Sequence, residues 1–536
     1  MKPHSFYFLS AFIAVLLLSA CSGPGETQRG HLVFRYNEHS NIPTLDPAFA
    51  RNPQTIWPSN QLFNGLVQLD SSLNVSPDIA KHWHVNDTTF TYTFTLRDDV
   101  YFHKNRAFGR DSTRKVVAQD FVYSLNRLTH PAVASPGSWV LNNVGNYTAP
   151  NDSTLVIGLK KAFPAFLGLL SMRYCSVVPK EVVEHYGTEF GRNPVGTGPF
   201  MYKLWEENVK LVFRRNPLYF EKDEQGRQLP YLEAVAITFL PDKQSEFLQF
   251  AQGKIDFLNG LDNSYKDEII TTTGQLRPKY ENNVKLITAP YLNTEYLGFF
   301  MGAKNPEIHS KALRQAVNYG FDRKKMVKYL RNGMGIPAVN GFIPKGLPGF
   351  KALPGYTHNP EKARKLIEKY KKETGNNNPK IIIGTNSQYL DICEYVQREL
   401  EKLGVRVIID VVPPSTLRQM KSSGELDVFR ASWIADYPDA ENYLSLFYSP
   451  NFTPNGPNYT HYKNEFYDSL YVAALKISDI KIRKEHYAKM DSTIIADAPV
   501  VPLYYDMAIR FVNKNVHGLG INPQNFLVLK HVWKEK

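Results

Sequence analysis

Between residues 90 and 96 polar and apolar side chains alternate, with Tyr92, Phe94 and Leu96 on one face and Thr91, Thr93 and Thr95 on the other. That period of two predicts a half-buried strand. Further on the period lengthens: Phe121, Val122, Leu125 and Leu128 recur at helical spacing over 118–128, and Asp120 falls in the first turn, where a negative charge complements the helix dipole. Residues 306–318 predict a second helix, with Ile308, Ala312, Leu313, Ala316 and Val317 on one stripe. A third begins at Asn359-Pro360, an N-cap followed by proline at the first helical position, and turns Ala363, Leu366, Ile367 and Tyr370 inward before Gly375. A strand over 380–383, a helix through Leu390, Cys393, Val396, Leu400 and Leu403 closed by Gly404, and a strand over 405–412 follow in order. Together they make a βαβ unit, which fixes an α/β fold class and leaves the function open.

The amino terminus has a different pattern. Lys2 precedes an apolar run from Phe6 to Leu18, and Leu18-Ser19-Ala20-Cys21 follows directly. This resembles a bacterial lipobox, so residues 1–20 are expected to be a lipoprotein signal peptide and Cys21 the lipid anchor of the mature chain. The apolar run is short for a membrane span of ~20 residues. Several acyl chains, at ~0.8 kcal/mol per buried methylene, would hold the protein firmly on a membrane. Residues 21–30, with Gly23, Pro24 and Gly25, have the composition of a flexible tether.

A chain of 536 residues exceeds the size at which single cores stop growing, so two or three domains are expected. The charge of +12, from 63 basic and 51 acidic residues, is scattered. No basic run, zinc-ligand spacing or aromatic RNA-binding strand accompanies it, which argues against nucleic acid as a partner. Of three cysteines only Cys175 and Cys393 remain beyond Cys21, far apart in sequence, so a disulfide is not expected. The chain has no H-E-x-x-H, C-x-x-C, G-x-S-x-G or G-x-x-x-x-G-K-[ST] signature. No catalytic residue, cofactor or metal site is therefore assigned, and an enzyme is not expected.

A series of short segments is more informative. In order they are Thr44-Leu45-Asp46-Pro47-Ala48, Leu62-Phe63-Asn64-Gly65-Leu66-Val67, Thr95-Leu96-Arg97-Asp98-Asp99-Val100-Tyr101-Phe102-His103 and Ala118-Gln119-Asp120-Phe121-Val122-Tyr123-Ser124-Leu125. Then come Pro194-Val195-Gly196-Thr197-Gly198-Pro199-Phe200, Arg215-Asn216-Pro217-Leu218-Tyr219-Phe220, Leu313-Arg314-Gln315-Ala316-Val317-Asn318 and Trp433-Ile434-Ala435-Asp436-Tyr437-Pro438-Asp439. Each alone is weak; in this order they make the chain resemble the family 5 extracytoplasmic solute-binding proteins, which serve ABC importers of oligopeptides, dipeptides and nickel. Asp99, Asn105 and Phe220 depart from the family's usual residues at positions with no expected ligand role.

The resemblance implies a two-lobed periplasmic-binding-protein fold. Lobe I, the hinge lobe, would comprise 31–75, 193–293 and 505–536, with an extra subdomain at 76–192, and lobe II would comprise 294–504. It implies a monomer on the periplasmic face of a bacterial membrane that captures a peptide ligand in a closing cleft and delivers it to ABC importer permease subunits. Nickel complexes, oligosaccharides or another small solute are the alternative ligands, and a ligand sensor without a transport role is the alternative function. Within the family's W-x-x-D step an aspartate receives the ligand's α-ammonium group, which falls on Asp436, whereas Asp439 reads better as a helix cap. Trp433 would line the cleft with its ring and Ile434 with its backbone groups. No carboxylate-binding Arg or Lys stands out. Gly196 and Gly198 are expected where the chain crosses between lobes with unusual torsions, Asn64-Gly65 as a turn, and Arg97 and Arg215 as structural ion-pair or backbone ligands.

Overall fold

The computed structural model describes residues 32–262, 264–347 and 350–535. The expected signal peptide, Cys21 and the rest of the tether lie outside the described residues, and among those described no helix is long and apolar enough to cross a membrane. The chain forms two α/β lobes, as the family resemblance implies.

The first lobe holds two four-stranded sheets. In one, Val33–Glu38 runs parallel to Ala234–Phe239, which continues antiparallel through Lys210–Arg215 to Phe200–Glu206. The other is wholly antiparallel, in the order Ala80–Asn86, Thr91–Leu96, Thr154–Leu159, Val144–Asn151. Here the predicted alternation holds: Tyr92, Phe94 and Leu96 are buried and the three threonines half-buried. The helix Ala118–Thr129 covers this sheet, and Asp120 both caps the Val117 N–H at 2.9 Å and pairs with Arg114.

A seven-stranded sheet extends from the first lobe, in whose core Phe257 and Val512 pack, into the second; its main path is Phe257–Asn259, Val500–Asn513, Val284–Phe299, Val428–Ile434, Lys380–Thr385, Arg406–Val411. Its βαβ unit is the one predicted, with Ile381 and Val407 in parallel register and Leu390–Glu401 as the crossover helix. The side-chain period of two sends Leu297, Phe299, Val428 and Val501 into one core and Tyr296, Phe429, Ala431 and Val500 into another, so helices cover both faces. The helix Pro360–Thr374 starts and stops as expected: Asn359 accepts from the Lys362 N–H, and Gly375 takes the left-handed conformation at φ 72°. The predicted helix over 306–318 is instead two, Pro306–His309 and Lys311–Tyr319. Ser310 sits extended between them and its hydroxyl caps the second at Leu313 N.

Two long strands, Val284–Phe299 and Val500–Asn513, tie the lobes together. Their ladder is interrupted between Pro290 and Thr294, so the sheet is locally irregular there. Gly196 and Gly198 do not lie at this crossing. They precede the strand Phe200–Glu206 of the first lobe, and neither has a positive φ. Their small size answers to close packing: a Cβ would stand 2.1 Å from the Leu62 carbonyl oxygen at Gly196 and 2.4 Å from the Leu62 carbonyl carbon at Gly198. Asn64-Gly65 is likewise not a turn but a buried extended segment held by Asp78, at 2.9 and 3.1 Å. Arg97 pairs with Asp99 and Arg215 with Glu233, both structural. Cys175 and Cys393 are free thiols in separate cores.

Candidate functional site

The strand Val428–Ile434 emerges from the core as it proceeds. Val428 to Ala431 are buried, Ser432 and Trp433 half-buried, and Ile434 exposed. On one side it pairs along its whole length with Asn293–Phe299. On the other it meets Lys380–Thr385 only at Val428 and Phe429. Among the described strands none pairs with 430–434 on that side, which leaves the amides and carbonyls of an open edge. An open edge next to a charged group is the arrangement that accepts an extended peptide as an added strand.

Asp436 follows two residues after this strand. Its backbone N–H donates to Asn442 Oδ1 at 3.3 Å, and the same oxygen accepts the Trp433 indole N–H at 2.8 Å. Asn442 is buried, so one amide fixes both residues relative to each other. The Asp436 side chain is exposed to solvent, yet the surrounding protein mass desolvates it enough to raise its pKa, an effect that the Asn442 side chain opposes. Tyr174, from the first lobe, and Tyr443 are close enough for the Asp436 charge to raise their own pKa values further, beyond the effect of burial. Gln524 reaches the Asp436 carbonyl at 3.5 Å. Among the described residues no cation pairs with the Asp436 carboxylate.

The structure therefore brings Trp433, Ile434 and Asp436 together at one end of the open edge. Asp439, three residues on, has another environment. It is buried, accepts from Glu441 N–H at 2.9 Å and Tyr487 Oη at 2.8 Å, and pairs with Arg483 at 3.1 Å. This is a capping and ion-pairing role.

Sequence reasoning missed the cations at the other end of the strand. Arg430 is buried, pairs with the buried Glu295 across the sheet, and leaves its Nε without a partner. Lys421 is drawn down to about 8 by burial and by the neighbouring Arg430 and Arg418 guanidiniums. Arg418, Lys421 and Arg430, with Arg331 beside Asp506, outnumber the nearby carboxylates Glu295 and Asp506 and make this end electropositive. The available signal was a lone arginine inside the apolar run Val428–Ala431.

A cavity of 560 Å³ lies elsewhere in the first lobe, and none of Trp433, Ile434 and Asp436 lines it. Lys530 and Glu221 pair at 2.6 Å there, while Asp78 is held by Asn64 and Gly65.

The sequence profile described as "Bacterial extracellular solute-binding proteins, family 5 Middle" matches residues 74–455. The glutathione-binding protein GsiB of Salmonella typhimurium is 24% identical over 490 residues, covering 90% of this chain and 91% of the relative. The periplasmic oligopeptide-binding protein OppA of the same organism is 26% identical over 556 aligned positions, covering 98% and 97%. Among solved structures, HbpA2 from Haemophilus parasuis superposes with a TM-score of 0.81 at 24% identity, covering 94% of this chain and 100% of the other.

Proposed function

Since the chain belongs to family 5 of the bacterial extracellular solute-binding proteins, we propose that it captures peptides between its two lobes and delivers them to the permease of an ABC importer. The observation that carries this reading is the Asp436 carboxylate, without a cationic partner among the described residues and placed at the end of an open strand edge. An α-ammonium group would supply the absent charge through charge-assisted hydrogen bonds strengthened by partial desolvation. Ligand main chain would pair with 430–434, the Trp433 ring would flank the first residue, and the backbone of Ile434 would take part in the added strand. Because main-chain pairing is indifferent to side chains, peptides of mixed sequence would be accepted. The electropositive cluster of Arg418, Lys421 and Arg430 would receive carboxylate groups. Named relatives that bind glutathione and oligopeptides support the same class of ligand.

In this reading residues 31–75, 193–293 and 505–536 form the hinge lobe, 76–192 its extra subdomain and 294–504 the second lobe. The interrupted ladder near Pro290 and Thr294 is where the lobes would rotate about each other. The leader read in residues 1–20 would export the chain, and lipid on Cys21 would hold it at the membrane surface as a monomer.

Native mass spectrometry of the purified protein, followed by denaturation and sequencing of what is released, tests the proposal. Co-purified peptides, or a thermal shift with a di- to pentapeptide library, are the expected result. An empty protein that no peptide stabilises would overturn it and turn the search to metal complexes and sugars.

A further inference from the structure

The two parallel strands of the first lobe, Val33–Glu38 and Ala234–Phe239, end side by side. Beyond their carboxyl ends lies a cavity of 310 Å³ bounded by Asn37, Glu38, His39, Lys243, Glu246 and Asn259. The carboxyl edge of parallel strands is a recurrent ligand position in α/β folds, because the chain there turns away and leaves a crevice.

The cavity is short of positive charge. Glu38 is only 9% exposed and makes no direct hydrogen bond or salt bridge among the described residues, although the Lys243 ammonium acts on it. Glu246 is 4% exposed and lies 3.3 Å from His39 Nε2 and 3.7 Å from Lys243 Nζ. Burial and Lys243, whose ammonium donates to His39 Nε2, hold His39 down to about 4, so the imidazole is neutral at physiological pH and carries its one proton on Nδ1. Two buried carboxyl groups thus share one ammonium. Burial first, and then the charge of Glu246, push Glu38 up to about 7, against the pull of Lys243; burial likewise raises Glu246 to about 7.

A buried carboxylate without a donor costs several kcal/mol unless a cation or proton meets it. Among the described residues no group of three His, Cys, Asp or Glu side chains is arranged to hold a metal ion. The acceptor present, the Glu38 carboxylate, is one that N–H donors satisfy. The volume admits a small organic molecule.

We propose that this cavity is a binding site for a small primary ammonium compound, held by Glu38 and separate from the site at Asp436. The compound would enter charged and hand its N–H donors to the Glu38 carboxylate. Glu246 and Lys243 would remain paired. Because Glu38 and Glu246 hold protons near neutrality in the empty cavity, binding would release protons to the buffer.

Calorimetric titration of the whole protein with putrescine at pH 7, in two buffers of different ionisation enthalpy, tests this. Expected are saturable binding with proton release, roughly tenfold or greater weakening in Glu38→Gln, and unchanged binding in Asp436→Asn. The last arm keeps this site distinct from the peptide reading, which can fail without it. A thermal melt of Glu38→Gln alone should match or exceed the wild type, since the substitution removes a buried charge. Three results would overturn the proposal: no putrescine binding, equal binding by Glu38→Gln, or tetramethylammonium, which has no N–H donor, binding as tightly as putrescine.

Discussion

Asp436 and Asp439 stand three residues apart on one segment and illustrate what surroundings do to identical side chains. Asp439 is buried and surrounded by donors: Arg483, Tyr487 and the Glu441 N–H satisfy it. Asp436 is wetted, partly desolvated and has no cation among the described residues. One carboxylate is spent on the fold, while the other is left available to an incoming cation. A strand that runs from core to solvent and then turns through Tyr437 and Pro438 makes the difference, because it carries one aspartate to the surface and returns the other inward.

Breaking the paired site should have the larger effect. Asp439→Ala strands the buried Arg483 guanidinium and is expected to cost about 3–5 kcal/mol of stability, read as a fall in the denaturation midpoint. Peptide affinity of the fraction that remains folded should stay close to wild type. Asp436→Asn should show the reverse: about 2 kcal/mol or more of peptide affinity lost, roughly thirtyfold, by calorimetry. Its ligand-free stability should not fall. Folding raises the Asp436 pKa, so the folded chain holds that proton to higher pH than the unfolded one. The group's contribution is fully present below the unfolded value of ~3.9 and is lost as pH rises through the folded value. At neutral pH the charged Asp436 therefore opposes folding, and asparagine should leave the empty protein at least as stable.

The same shift sharpens the comparison through pH. Peptide affinity should hold across a plateau bounded above by loss of the α-ammonium proton near ~8 and below by protonation of Asp436. The lower limit should lie above the ordinary aspartate value because burial raises this one. A profile that is flat down to the ordinary aspartate value would remove Asp436 from the binding step. Trp433→Phe should have the smallest effect. It keeps a ring but removes the indole N–H that helps fix Asn442, and about 1 kcal/mol, near fivefold in affinity, is expected to be lost.

The βαβ unit was legible because the period of its apolar residues changes cleanly from strand to helix and back. The site was legible only in part. Trp433, Ile434 and Asp436 stand in a segment that resembles the family's, but no local period marks how far the strand beneath them extends as side chains turn from core to solvent. The strand in fact runs on to Ile434. Asp439 reads as a helix cap, and in the structure its carboxylate accepts the N–H of Glu441, the first residue of a short helix. Arg430 shows the other limit. Its partner Glu295 lies 135 residues away in the chain and beside it in the sheet, a proximity that no local pattern records.

The most direct test of the central claim is a cycle that pairs the protein's charge with the ligand's. Wild type and Asp436→Asn would each be titrated with a tripeptide and with its N-acetylated form. If Asp436 receives the α-ammonium group, acetylation should weaken binding to the wild type strongly and to Asp436→Asn hardly at all, because each change removes one half of the same interaction. Equal weakening in both proteins would contradict the account.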